Sequence, residues 1–165
     1  MMLLKNFAIS FVTVFLCFVV TEADSQTGFT SPEFSVTATF PDSPIKPGDV
    51  VYGSIFVTMP DGWHVYAPGV KKYNSLNVDT GDGPLKHVRL DYPPAKTIVQ
   101  LGTEVPVYGG TVEIRVAGIA PPSHAGGDIM FSALVTWQGC TDNICLPPES
   151  KMVSVPLKML AGDKK

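Results

Sequence analysis

Glu33-Phe34-Ser35-Val36-Thr37-Ala38-Thr39-Phe40 is the stretch that decides the fold. Phe34, Val36, Ala38 and Phe40 fall on one face of an extended chain, and Ser35, Thr37 and Thr39 on the other. A period of two is the mark of a strand with one face in a core and the other in water. Outward from this stretch the same habit recurs. Residues 50–59 are rich in β-branched and aromatic side chains, which suit a pleated surface. Further strands fit residues 63–66, 75–79, 87–92, 111–117, 128–138 and 152–157.

The punctuation agrees. Fifteen glycines and fifteen prolines are scattered along the chain, and Pro41-Asp42-Ser43-Pro44, Lys46-Pro47-Gly48-Asp49 and Pro60-Asp61-Gly62 read as turns. Outside the N-terminus no sustained helical period appears. Roughly seven to nine short strands predict an all-β, immunoglobulin-like antiparallel β-sandwich, with a jelly roll the alternative that pattern leaves open. Phe34, Val36, Phe40, Ile129, Phe131 and Val135 are expected to face inward, and Trp63 and Trp137 to join the core. Residues 92–108, with Pro93, Pro94 and Gly102, read as a long loop.

Composition narrows the function. The chain has 165 residues, of which 45% are apolar and 16% charged, which excludes a disordered chain and suits one domain. A formal charge of −3 with no Lys/Arg run gives nucleic acid nothing to grip. No internal repeat is found.

The N-terminus reads as an export signal. Lys5 precedes an apolar run over residues 7–20, and Thr21-Glu22-Ala23 offers small residues where a signal peptidase cuts. The run is shorter than a membrane span of ~18 residues. The expected organisation is a signal peptide at residues 1–23, an alternative being an uncleaved anchor, and one mature domain over residues 24–165. Cys17 leaves with the signal, behind bulky Phe15 and Leu16, a setting unlike a lipid-attachment site. Two cysteines then remain in a compartment where disulfides persist.

They lie in Trp137-Gln138-Gly139-Cys140-Thr141-Asp142-Asn143-Ile144-Cys145-Leu146-Pro147-Pro148-Glu149. Strands run into and out of this segment, so the pair is expected at or near a hairpin end, with Thr141-Asp142-Asn143 turning the chain. A staple is one reading. A ring this short gains roughly 2 kcal/mol by restricting the unfolded chain, against about 4.7 for a 100-residue loop. A structural bond would gain more by joining distant strands, so the spacing leans toward redox use without deciding it. Metal binding by the two thiolates with His64, His87 or His124 is a third reading. None of those histidines stands at a fixed offset from the cysteines. No cofactor motif is present: there is no glycine-rich phosphate loop and no nucleophile elbow, around Ser123-His124 or elsewhere.

The cysteine segment resembles that of the N-terminal periplasmic domain of the DsbD thiol:disulfide interchange protein family, and Asp61-Gly62-Trp63-His64-Val65-Tyr66 is similar to its Asp-Gly-aromatic motif. The resemblance covers most of the mature chain and implies an immunoglobulin-like fold, a periplasmic location and a thiol–disulfide relay. By that likeness Cys145 bonds the partner, Cys140 resolves the mixed disulfide, and His64 and Tyr66 line the site. Partners would be thioredoxin-fold proteins of the disulfide-isomerase or cytochrome c maturation type, with a separate membrane protein as electron donor. Three departures stand out. Four residues lie between the cysteines, one fewer than in the best-known member. The family's cap loop carries an aromatic, whereas the corresponding region, residues 97–102, offers Ile98, Val99 and Leu101. No membrane segment or thioredoxin-like domain follows before Lys165, so a free-standing relay or a reused domain is expected. The competing reading is an exported binding module whose disulfide is structural.

Overall fold

In a computed structural model of the chain, residues 32–100, 102–123 and 125–162 are described. The expected signal, Cys17, Leu101 and His124 lie outside them. Among the described residues there are eleven strands and no helix.

The first sheet runs in the order β1 (Ser35–Thr39), β2 (Val50–Thr58), β8 (Thr111–Ile119), β5 (Lys86–Asp91). The second is β10 (Gly139–Cys140), β3 (His64–Tyr66), β7 (Thr103–Gly109), β6 (Lys96–Gln100), and the third β11 (Glu149–Ala161), β9 (Ala125–Trp137), β4 (Asn77–Asp79). All of these strand pairs are antiparallel. Ile45 adds a parallel bridge to Met159, its N–H donating to the Lys158 carbonyl at 2.8 Å and its own carbonyl accepting from Leu160 N–H at 2.8 Å.

Alternation builds one core. Val36, Ile55, Val57, Val112, Ile114 and Val116 from the first sheet are buried with Phe131, Ala133, Val135, Val153 and Leu157 from the third. Among the expected core residues, Phe34, Val36, Phe131 and Val135 are buried, and Phe40 and Ile129 pack against the same cluster partly exposed. The Phe40 ring stands 4.7 Å from that of Phe131. Trp137 is buried and Trp63 packs at the margin, both against Phe34 at 6.0 Å between ring centroids.

One expectation is corrected. Residues 92–108 do not form a long loop: they hold the β6–β7 hairpin, with Ile98 opposite Val105 and Gln100 opposite Thr103. Thr97, Ile98 and Val99 supply β-branched residues, and Gly102 takes the left-handed turn at φ 74°. Pro106 sits within β7, where it loses only its own N–H, and its carbonyl still accepts from Ala67 N–H at 3.0 Å. The two-residue β10 also escaped the sequence pattern.

Candidate thiol–disulfide site

The second sheet is where the site is built, because both of its faces are covered. His64, Val65 and Tyr66 are all buried. Val65 and Tyr108 face the main core. Turned the other way, Tyr66, Val105, Val107 and Cys140 make a small second cluster, with Val70, Tyr73 and Ile98 packed on it. Alternation thus places Val65 in one environment and its neighbours His64 and Tyr66 in another.

The β9–β11 hairpin delivers the cysteines. Its last pair is Trp137 opposite Glu149, and the connecting residues contain both sulfurs, as the hairpin-end reading expected. Beyond Trp137 the chain leaves β11 and pairs with β3, so that Gly139 lies opposite Val65 and Cys140 opposite His64. Gly139 is required here: a β-carbon would stand 2.4 Å from Phe34 Cζ. Cys140 and Cys145 then form a disulfide with Cα atoms 4.0 Å apart. The ring is also held by backbone: Thr141 N–H donates to the Ile144 carbonyl at 2.8 Å, and Leu146 N–H to the Gly139 carbonyl at 2.9 Å. Thr141 Oγ1 accepts from the N–H groups of Asn143 and Ile144 at 3.3 and 3.2 Å, the turn that Thr141-Asp142-Asn143 suggested.

The two sulfurs sit in unlike places. Cys140 is 0% exposed, whereas Cys145 is exposed beside exposed Ile144, Pro147 and Pro148. Residues directly opposite on paired strands share a face, with Cβ atoms about 4.5–5.5 Å apart, so His64 is the cross-strand neighbour of Cys140. The residue is 8% exposed and its Nε2 is buried without a hydrogen-bond partner. Burial holds the His64 pKa below its usual value, against the opposing pull of the Asp142 charge and the Gln100 side chain. Tyr66 meets His64 edge-on at 5.8 Å, stacks on Tyr73 at 4.1 Å, and donates its hydroxyl proton to Gln100 Oε1 at 2.5 Å. Burial, followed by the neighbouring Tyr73, raises the Tyr66 pKa.

His87 is remote in kind: it is exposed, with φ 52°, at the irregularity in β5 between Lys86 and Arg89. Among the described residues no group of three or more His, Cys, Asp and Glu is arranged to hold a metal.

Residues 34–157 match the family described as "Thiol:disulfide interchange protein DsbD, N-terminal". The chain belongs to the DsbD N-terminal domain family. Among solved structures it is similar to the DsbD N-terminal domain of Neisseria meningitidis in the reduced form, at 17% identity and a TM-score of 0.41, over 72% of this chain and 82% of that one. It is also similar to the N-terminal periplasmic domain of ScsB from Proteus mirabilis, at 14% identity and a TM-score of 0.47, over 73% of this chain and 44% of that one. No curated protein sequence matches the chain. Membership of the DsbD N-terminal family, with the Cys140–Cys145 bond, supports thiol–disulfide interchange as the general chemistry.

Four residues at this DsbD-type site were not singled out from the sequence. Gln100 reaches Tyr66 from the hairpin that had read as a loop. Gln138 donates from Nε2 to the Leu146 carbonyl at 2.8 Å and accepts at Oε1 from Asn74 Nδ2 at 3.4 Å. Tyr73 contributes an aromatic ring to the cluster, and Asp142 acts on His64 from within the cysteine loop. Gln138 stood in plain view beside Gly139-Cys140; Tyr73 carried no signal, because only tertiary contact brings it to Tyr66.

Proposed function

We propose that residues 24–165 form an exported, immunoglobulin-like interchange domain, freed of a signal peptide at residues 1–23, that works in the periplasm as a thiol–disulfide oxidoreductase. The Cys140–Cys145 pair carries two electrons at a time between a membrane electron donor and thioredoxin-fold acceptors of the disulfide-isomerase or cytochrome c maturation type. Cys145 bonds the partner; Cys140 attacks Cys145 to release it; His64 and Tyr66 line the site.

The observation that carries this reading is the division of exposure within one disulfide. Exchange requires one sulfur that a partner can reach and another held close for release, and here the exposed Cys145 is backed by the enclosed Cys140. Pro147 and Pro148 have no N–H to give to a ladder, which leaves their stretch free for docking.

Trapping tests the roles. Cys140→Ser is expected to accumulate a mixed disulfide through Cys145 with a thioredoxin-fold acceptor, and Cys145→Ser to accumulate none. The reverse pattern would exchange the two roles. A reduction potential below about −300 mV, with no trapping by either variant, would make the bond a structural one.

A further inference from the structure

We propose that His64 is the proton acceptor for the Cys140 thiol in the step that closes the intramolecular disulfide and frees the partner. The proposal rests on the relay reading above.

The difficulty it resolves lies in the burial of Cys140. A thiolate, not a thiol, attacks a disulfide. Cys140 is fully enclosed against Tyr66, Val105 and Val107, apolar surroundings that disfavour a bare thiolate and keep bulk water from taking its proton. The base must therefore belong to the chain.

The groups around the sulfur narrow the choice to one. Tyr66, on the same face, is a poor base: its hydroxyl donates to Gln100 and its pKa is pushed up by burial. Tyr73, stacked on Tyr66, is another phenol with no basic nitrogen, and Gln100 is uncharged. Gly109, opposite His64 on β7, has no side chain to offer. Asp142 lies in the cysteine loop and is exposed. His64 is in register with Cys140, enclosed, and has a ring nitrogen, Nε2, with no partner. Burial keeps the ring neutral at neutral pH, which leaves it able to accept. Asp142 then favours the imidazolium as it forms.

The step balances within the mixed disulfide. Cys140 Sγ–H gives its proton to His64 Nε2. The thiolate attacks Cys145 Sγ, the Cys140–Cys145 bond forms, and the bond from Cys145 to the partner sulfur breaks. The electron pair leaves with the partner thiolate, which takes a proton from water, and His64 returns its own proton to water. The two cysteines have lost two electrons and the partner's disulfide has gained them.

A small aromatic disulfide, 5,5′-dithiobis(2-nitrobenzoate), separates the steps on the reduced full chain carrying Cys17→Ser, which leaves Cys140 and Cys145 as its two thiols. Attack by Cys145 releases the first coloured thiolate, and closure by Cys140 releases the second. In the wild type the second phase is expected to level off above the titration of an imidazole. His64→Gln should keep the first phase within about twofold and slow the second by tenfold or more at pH 7. With hydroxide alone to remove the proton, the variant's second phase should climb about tenfold per pH unit. Two released equivalents with the same second phase in both proteins overturn the role of His64 and leave the relay standing. A wild-type second phase that climbs tenfold per pH unit without levelling also overturns it, however the variant behaves. Release of one equivalent only overturns the relay reading and this inference together.

Discussion

Gly139 and Phe34 touch so closely that no side chain fits between them: a β-carbon on Gly139 would stand 2.4 Å from Phe34 Cζ and 2.8 Å from Cε2. The ring has little room to retreat, because Trp63 and Trp137 flank it at 6.0 Å. In an open strand Gly→Ala gains about 0.5–1 kcal/mol. Here overpacking outweighs that gain, and Gly139→Ala should destabilise the fold by about 1–3 kcal/mol. Urea unfolding of the two proteins checks it; an unchanged or higher midpoint would mean that Phe34 moves freely.

The Gln138 side chain ties down the arm that carries the exposed sulfur, donating to the Leu146 carbonyl one residue past Cys145. Such a bond contributes about 1 kcal/mol. If reduction frees the arm, Gln138→Ala weakens the oxidised form by that amount, which for a two-electron couple raises the potential by roughly 20 mV. Equilibration with a dithiol buffer measures the shift. No change would place the bond equally in both redox forms.

Tyr66 and Gln100 join β3 to the edge hairpin across the cysteine cluster. Tyr66→Phe keeps the ring stack on Tyr73 and removes only the hydroxyl. We expect a stability loss of about 0.5–1.5 kcal/mol, and faster amide hydrogen exchange in β6 than in β8. Uniform exchange across the domain would show that the hydroxyl does not tether the hairpin.

Stability should depend on pH through His64. Its folded pKa lies below the unfolded value of about 6.5, so below that pH the unfolded chain binds the extra proton first. Stability therefore falls as the pH drops from about 6.5 toward the folded pKa, and this contribution is flat above 6.5. His64→Gln removes the slope while leaving the carboxylates common to both proteins. Urea midpoints between pH 5 and 8 for wild type and variant give the difference; parallel curves would refute it.

Much of this was legible because a period of two survives in any strand with one covered face. Residues 33–40 and 128–138 declared their inward sides through Phe34, Val36, Phe131 and Val135. Legibility ended where partners come from afar. β6 and β7 were hidden by Pro93, Pro94 and Gly102, since counting breakers cannot tell a loop from a hairpin whose turn needs a glycine. Nothing local marks Gln100 for Tyr66 or Tyr73 for the same ring. His64 was noticed through the motif around it, but its register with Cys140 depends on a two-residue strand that no periodicity can reveal.

The hydrogen bonds across the cysteine ring bear on the order of events during biosynthesis. Thr141 with Ile144, and Gly139 with Leu146, close the turn through the main chain, and β10 is seated on β3 independently of any sulfur bond. Pairing of the sheets therefore calls on no sulfur bond. In the proposed relay, oxidant and reductant would then act on a scaffold whose main-chain bonds are made without the sulfurs.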